Sequence, residues 1–165
     1  MGIEEQVSDR PKTHGVIAGS FDLLHPGHIL ALSAAKDNCD HLTVLLQTDP
    51  TIDRPEKNKP IQSMLERYMQ LEGCRYVDGI IPYDTEHDLF NVLSLPYWDV
   101  RFLDEKYKGT DFTGCNLKLK VLFIERQHDY SSSSLRKRIY NAELDSVVSS
   151  ANSILDTKTE RDFGR

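Results

Sequence analysis

The sequence predicts an α/β domain built on a parallel β-sheet with helices on both faces. Its strand-like segments are solid apolar runs, as at residues 15–19 (GVIAG) and 41–47 (HLTVLLQ). Helix-like stretches separate these runs along the chain, as at residues 29–36 (ILALSAAK). Continuous apolar strands are typical of parallel sheets that are covered on both faces. With right-handed crossovers, such strands form a doubly wound, Rossmann-like sheet.

The later elements follow the same alternation. Ser63, followed three residues later by Glu66, is a capping-box pattern that opens a helix reaching about Leu71. The other predicted elements are strands at 76–82, 100–103 and 119–124 and helices at 86–95 and 135–148.

The chain length predicts a single domain with polar ends. The 165 residues fall within the usual range for one domain. Apolar residues are concentrated in residues 14–149, which we assign to the domain. Residues 1–13 and 150–165 are polar, and we expect them to be mobile tails.

Composition excludes several classes of protein. The 20 basic residues against 26 acidic ones give a net charge of −6, which argues against coating nucleic acid or an anionic membrane. No apolar run approaches the roughly 18 residues of a membrane span, and the polar N-terminus does not resemble a signal peptide. Three widely spaced cysteines give no disulfide framework. These features together predict a cytoplasmic protein with reduced thiols.

The segment GSFDLLHPGH, residues 19–28, places two histidines where the first strand turns into the first helix. Pro26 suits the first helical position, which puts His25 at the N-cap and His28 on the same side of the first turn. The free N–H groups of a helix N-terminus favour anions. Gly19 and Gly27 leave room for close approach of a ligand.

Two other interpretations of the histidine pair are weaker. A zinc site needs further ligands, and no Cys, Asp or Glu pair stands at a familiar spacing. A lone histidine at a helix start is commonly a cap or a surface residue. Two histidines on either side of Pro-Gly are harder to explain as caps or surface residues. The dinucleotide pattern Gly-x-Gly-x-x-Gly is absent. The residue types therefore favour an anion site.

Three segments resemble motifs of the cytidylyltransferase-like nucleotidyltransferases, and among these the chain is most similar to the glycerol-3-phosphate cytidylyltransferases. The first is residues 19–28. The second is residues 126–136 (RQHDYSSSSLR), an arginine followed by a hydroxyl-rich run and a basic residue. The third is residues 75–81 (RYVDGII), which in the family lies at a dimer interface. The resemblance extends over about residues 14–140 with the motifs in the family's order.

The resemblance implies that a substrate phosphate attacks the α-phosphate of CTP and that pyrophosphate leaves, with Mg²⁺ accompanying the triphosphate. Catalysis would consist of positioning and of neutralising charge on the phosphate oxygens. The residues implied in catalysis are His25, His28, Lys59 and Arg136. Solvation at the surface is an alternative for Lys59, as for Lys57.

The resemblance also implies binding residues. Those expected at the nucleotide are Gly19, Ser20, Phe21, Gly27, Asp104, Lys106, Arg126, Ser131, Ser132 and Ser133. The serines are also expected to cap the helix that follows them. Those expected at the acceptor are Asp22, Lys57 and Arg67; Asp22 could instead orient a donor or meet the magnesium, and Arg67 could pair with Glu66 or Glu72. A homodimer is expected through Arg75, Tyr76 and Asp78.

One landmark departs from the family pattern. The loop after the fourth strand has Asp104 where the family has glycine and Lys106 where it has aspartate. A lysine cannot accept the hydrogen bond that an aspartate accepts from an amino or hydroxyl group. Three hypotheses follow: a CTP-dependent transferase acting on glycerol 3-phosphate or a similar phosphorylated alcohol, the same chemistry with ATP, and a nucleotide-binding module without turnover.

Overall fold

A computed structural model describes residues 12–162, and the side chains of residues 12–151. Five strands form one sheet in the order β3-β2-β1-β4-β5, and every pair is parallel. The predicted doubly wound, Rossmann-like class is confirmed. The strands are β1 (His14–Gly19), β2 (His41–Gln47), β3 (Gly79–Tyr83), β4 (Val100–Asp104) and β5 (Lys120–Ile124). The predicted N-terminal tail, residues 1–13, lies outside the described residues except for its last two.

The helices start where local signals place them. They are α1 (Pro26–Lys36), α2 (Met64–Glu72), α3 (Glu86–Leu93) and α4 (Ser132–Asp162). The predicted capping box of α2 is confirmed, since Ser63 and Glu66 bond each other's backbone N–H groups. Thr85 and Asp88 form a second capping box at α3, which the sequence prediction missed.

Each face of the sheet carries its own core, because side chains of a strand alternate between the two faces. On one face, β2 residues Leu42, Val44 and Leu46 pack in a cluster with Leu32 and Ala35 of α1. The other core lies on the opposite face and contains Val16, Leu45, Tyr83, Leu89, Leu93 and Trp98. Two residues of α3, Leu89 and Leu93, belong to this second cluster. Helices therefore cover both faces, and the carboxyl ends of the strands remain for loops and the N-termini of the helices.

The chain divides into two compact units, the first ending at His128 and the second beginning at Asp129. The first unit contains the whole sheet with α1, α2 and α3. The second contains α4, which continues to Asp162, beyond the predicted end at residue 148 and into the predicted C-terminal tail. The loop after β4 holds a short 3-10 helix, Glu105–Tyr107, that was not predicted.

No helix among residues 12–162 is both long and apolar enough to cross a membrane.

Candidate active site

The two histidines of the first motif lie together at the N-terminus of α1. Pro26 occupies the first turn and His25 is the N-cap residue, as predicted. The His25 side chain makes no capping hydrogen bond, so its imidazole is left for other contacts. The rings of His25 and His28 stack, with centroids 3.8 Å apart and planes inclined by 20°. The N-terminus of α1 therefore presents two stacked imidazoles, while the His28 N–H donates to the His25 carbonyl at 2.9 Å.

Both imidazoles are held in the neutral form. Burial lowers the pKa of His28 to about 3, with His25 and Arg126 adding repulsion and Asp22 opposing it. Burial also lowers the pKa of His25, with further lowering by Arg126 and His128. The Nδ1 atoms of His25 and His28 are buried and have no hydrogen-bond partner within the described chain. A desolvated imidazole nitrogen that carries the ring proton can donate to a phosphate oxygen.

The loop that leads into α1 has an unusual backbone. Phe21 and Leu23 have φ angles of 46° and 53°, in the left-handed region that side chains disfavour. The Phe21 ring is buried and its centroid lies 5.2 Å from that of His28. The N–H of Leu23 donates to Oε1 of Gln62 at 2.7 Å. The strained loop thus places the Phe21 ring against His28. The hydrogen bond from Leu23 to Gln62 fixes the loop to a later segment of the chain.

A third histidine, His128, also lies beside Gly27 and His25 at the N-terminus of α1. A Cβ built on Gly27 would lie 2.6 Å from Cε1 of His128 and 3.0 Å from Cε1 of His25. Gly27 therefore makes room for two imidazoles, where the sequence predicted room for a ligand. His128 was not among the predicted site residues. The sequence feature that could have identified His128 as a site residue is its position two residues after Arg126 in the second motif.

A family model described as cytidylyltransferase-like matches residues 16–138. This chain belongs to the cytidylyltransferase-like family. The match contains the paired histidines, Arg126 and the serine run, and it bears out the family resemblance drawn from the three motifs.

Relatives within the cytidylyltransferase-like family carry several names. The bifunctional protein HldE of Campylobacter concisus is 31% identical over 145 residues, covering 87% of this chain but 30% of HldE. The chain thus spans about a third of the length of that relative. The glycerol-3-phosphate cytidylyltransferase of Staphylococcus aureus is 29% identical, covering 76% of this chain and 93% of the relative. The FAD synthase of Aciduliprofundum boonei is 31% identical, covering 74% and 85%.

A solved structure shares the architecture of this cytidylyltransferase-like chain. The lipopolysaccharide core biosynthesis protein from Thermoplasma volcanium superposes with a TM-score of 0.56 and 25% sequence identity. The alignment covers 73% of this chain and all of that one.

Asp22 of the family motif is turned toward the protein's own backbone. Its carboxylate is buried and accepts hydrogen bonds from the N–H groups of Ile61 and Gln62, at 2.9 to 3.1 Å. Together with the bond from Leu23 to Gln62, these contacts clamp the histidine loop to residues 61–62. The visible role of Asp22 is therefore to position the loop, which differs from its predicted role at the acceptor.

Arg67 also departs from its predicted role at the acceptor. It is 2% exposed, and its guanidinium donates to the carbonyls of Ser20, Gln47, Thr48 and Gln62 at 2.7 to 3.2 Å. Its remaining N–H faces the Met64 sulfur at 3.8 Å. All five N–H groups are therefore engaged inside the protein.

The alternative pairing of Arg67 at the helix surface is wrong. The arginine is too deeply buried to pair with Glu66 or Glu72 at the helix surface, and Glu66 is engaged by Ser63. In the structure, buried Arg67 stabilises the fold by donating hydrogen bonds to main-chain carbonyls.

The loop expected near the base has internal partners. The Asp104 side chain accepts from the N–H of Lys106 at 3.0 Å and caps the short 3-10 helix. Its carboxylate also lies 3.7 Å from Nζ of Lys106 and 3.9 Å from the guanidinium of Arg126. The two departures from the family pattern thus form one charged cluster with the family arginine.

The two loop lysines lie at the surface. Lys57 is exposed, and the Lys59 side chain is 79% exposed with Nζ 3.7 Å from the Asp49 carboxylate. Both positions agree with solvation and with reaching a bound phosphate, so the two alternatives remain open.

Within the second unit, Ser131 accepts a hydrogen bond from the N–H of Ser134 at 3.1 Å and precedes α4. The predicted serine cap is confirmed at this residue. Ser132 and Ser133 begin α4, and Arg136 lies one turn further on. Their contact with a triphosphate stays a prediction, as does the convergence of the two helix N-termini on one ligand.

The three residues expected at a dimer interface have different surroundings. The Asp78 carboxylate accepts from Lys36 Nζ at 2.6 Å and from the N–H of Leu42 at 2.7 Å. Tyr76 packs against the first core, and the Arg75 guanidinium lies 5.4 Å from its ring. Asp78 therefore contributes to the fold of a single chain.

No group of three or more His, Cys, Asp or Glu side chains able to hold a metal ion occurs among the described residues. The only carboxylate of the first motif, Asp22, is engaged by backbone N–H groups.

Proposed function

We propose that this chain is a nucleotidyltransferase that transfers CMP from CTP to a small phosphorylated alcohol such as glycerol 3-phosphate. An oxygen of the acceptor phosphate bonds to the α-phosphorus of CTP, and the bond from that phosphorus to the bridging oxygen of the β-phosphate breaks. Pyrophosphate leaves with the bonding electrons. The observation that carries the proposal is the stacked, desolvated pair His25 and His28 at the N-terminus of α1.

The chemistry needs no nucleophile from the protein, because the acceptor phosphate supplies it. The protein must position two anions and stabilise the charge that grows on the oxygens around the α-phosphorus. His25 and His28 do this by donating N–H hydrogen bonds to those oxygens. A neutral imidazole serves as a donor, and a nearby phosphate raises its pKa and strengthens the bond.

Arg126 supplies the positive charge of the same site. It lies close enough to both histidines to lower their pKa values, and its guanidinium is 3.9 Å from the Asp104 carboxylate. We propose that the Arg126 guanidinium leaves Asp104 and contacts the nucleotide when the nucleotide binds. Asp104 and Lys106 then face the base or ribose. On the family resemblance, Ser131, Ser132, Ser133 and Arg136 bind the β- and γ-phosphates and Lys59 stabilises the transferred group.

Magnesium enters the proposal only as a companion of the triphosphate. Phosphate oxygens and water would hold the ion. A homodimer through Arg75 and Tyr76 is likewise proposed from the family resemblance. Light scattering at micromolar concentration tests it, and a monomer mass would contradict it.

The decisive experiment is a matrix of nucleotides and acceptors. CTP and ATP are each combined with a series of phosphorylated alcohols, while pyrophosphate is measured and the activated product is identified by mass. We expect pyrophosphate and a CMP-linked product with CTP. Turnover with ATP but not with CTP would make ATP the nucleotide substrate in place of CTP. Nucleotide binding without pyrophosphate from any pair would show a binding module and refute the proposed reaction.

A further inference from the structure

The main chain of Gln62 is fixed on both sides of its Cα atom. Its N–H donates to Oδ1 of Asp22 at 2.9 Å, and its carbonyl accepts from Nε of Arg67 at 3.2 Å. Both Asp22 and Arg67 are buried. The Gln62 side chain therefore extends from a main chain that is already positioned, and its Oε1 accepts from the N–H of Leu23 at 2.7 Å.

Among these three hydrogen bonds, the one from Leu23 depends on which side chain stands at position 62. Any residue except proline offers Asp22 the same main-chain N–H, and any residue offers Arg67 the same carbonyl. The N–H of Leu23 needs a side chain of suitable length that ends in an acceptor, and the amide oxygen of glutamine is one. The identity of Gln62 therefore matters to the loop through this hydrogen bond.

The hydrogen bond to Gln62 is made in the strained part of the loop. Leu23 has a φ angle of 53° and Phe21 one of 46°, in a region where residues with side chains persist only if surrounding contacts hold them. These two residues flank Asp22, and the N-cap residue His25 follows Leu23 by two positions. The backbone at Leu23 therefore cannot relax without moving the chain toward Phe21 or toward His25.

Phe21 connects the conformation of the loop to the imidazoles. Its ring is buried, and its centroid lies 5.2 Å from that of His28. His28 in turn stacks on His25, with centroids 3.8 Å apart. A relaxed loop would take the Phe21 ring away from His28, which would let more water reach the imidazole and free it to move. A displacement of about 1 Å at a reacting group can cost about 100-fold in rate.

We infer that Gln62 is a positioning residue for the histidine pair: by accepting the hydrogen bond from Leu23, its amide oxygen holds the strained loop that packs Phe21 against His28. Gln62 acts through the loop and touches no substrate. Its effect on the rate rests on the proposed function, since that effect is exerted through His28. Its effect on the placement of the imidazole does not depend on the reaction.

The kinetic test compares substitutions of Gln62 that remove or keep the acceptor. Gln62→Leu has no acceptor, and in Gln62→Asn the oxygen is one methylene too far back to reach Leu23. In both variants kcat for pyrophosphate release from CTP should fall at least about tenfold, while KM for CTP stays within about threefold. Gln70→Leu, the same exchange at an exposed position of α2, is the matched control and should leave both constants unchanged.

Gln62→Glu is the conservative variant. It keeps an oxygen at the end of a side chain of the same length, so kcat should stay within about threefold of the unaltered chain. The added carboxylate lies near Asp22 and changes the affinity for anionic substrates, so the rescue is judged from kcat and not from KM. A thermal melt of each variant shows that the protein compared is folded.

A second measurement needs no turnover: the NMR signals of the His28 ring are followed in the full chain as the pH is lowered. Because burial lowers the pKa of His28 to about 3, these signals should stay nearly constant from about pH 7 to about pH 5 in the unaltered chain. In Gln62→Leu and Gln62→Asn more water reaches the ring, so its pKa should rise toward 6.5 and the signals should shift over the same range. In Gln70→Leu they should stay constant.

The reaction and the role of Gln62 can fail independently. If no nucleotide yields pyrophosphate but the His28 signals respond in the Gln62 variants and not in Gln70→Leu, the proposed reaction is wrong and the positioning role is supported. If CTP is turned over and folded Gln62→Leu or Gln62→Asn keeps kcat within about twofold, the reaction stands and the inference is overturned. An equal loss of kcat in Gln62→Glu, or His28 signals that do not respond in any Gln62 variant, would overturn it as well.

Discussion

Replacing Arg67 with methionine should destabilise the protein more than any other exchange of a basic residue in α2 or its flanking loops. The guanidinium supplies hydrogen bonds to four main-chain carbonyls that lie in three separate segments. At a net value of about 1 kcal/mol for each bond, the loss is about 4 kcal/mol. Carbonyls that stay buried without a donor would raise this figure. Methionine fills much of the same volume, so cavity formation contributes little.

The measurement is the free energy of unfolding from urea titration, with Arg67→Lys and Arg138→Met as companions. Lysine keeps the charge but has no planar fork, so Arg67→Lys should recover less than half of the lost stability. Arg138 is exposed on α4 and its replacement should change the free energy by less than about 0.5 kcal/mol. A loss below about 1 kcal/mol in Arg67→Met would refute the view that this arginine organises the carboxyl edge of the sheet.

Three further predictions concern the histidines. His28→Ala should lower kcat for pyrophosphate release by about 100-fold or more with little change in the thermal melt, and a near-normal rate would remove His28 from the mechanism. Because the pKa of His28 is lowered to about 3 in the folded chain, protonation favours unfolding, so stability is lost as the pH falls from 6.5 toward 3. Between pH 6.5 and 4 the free energy of unfolding should therefore fall by more than about 1 kcal/mol relative to His28→Gln, and parallel pH curves would contradict the burial of the imidazole. Gly27→Ala places a Cβ 2.6 Å from His128 and should displace an imidazole, seen as at least about a tenfold loss of kcat in a folded protein; unchanged kinetics would show that the imidazoles do not need this space.

The fold was predictable where burial and strand periodicity coincide. The bounds of β2 are as predicted, because all but its first residue are buried and the run is rich in branched aliphatic residues. The third strand was predicted to start at Tyr76 but starts at Gly79. Tyr76 and Val77 pack against the core from a turn, so their apolar character reports burial and not a strand. Apolar patterning alone cannot separate these two cases.

The candidate site was predictable where its geometry is local in sequence. The N-cap position of His25 and the shared side of His28 follow from helix geometry and from Pro26. The environment of Arg67 was not predictable, because its partners are carbonyls supplied by segments up to 47 residues away. Main-chain carbonyls carry no sequence signal, and an arginine on a helix is usually at the surface.

The edge strand β3 has a consequence for assembly. It contains Pro82, which pairs with Leu46 of β2 but has no N–H of its own to offer. A second chain could not continue the sheet along this border with an unbroken row of backbone hydrogen bonds, since proline interrupts the donors that strand addition requires. We therefore expect intermolecular β-pairing and fibrillar growth to be suppressed at this border, and any pair of chains to associate through side chains instead.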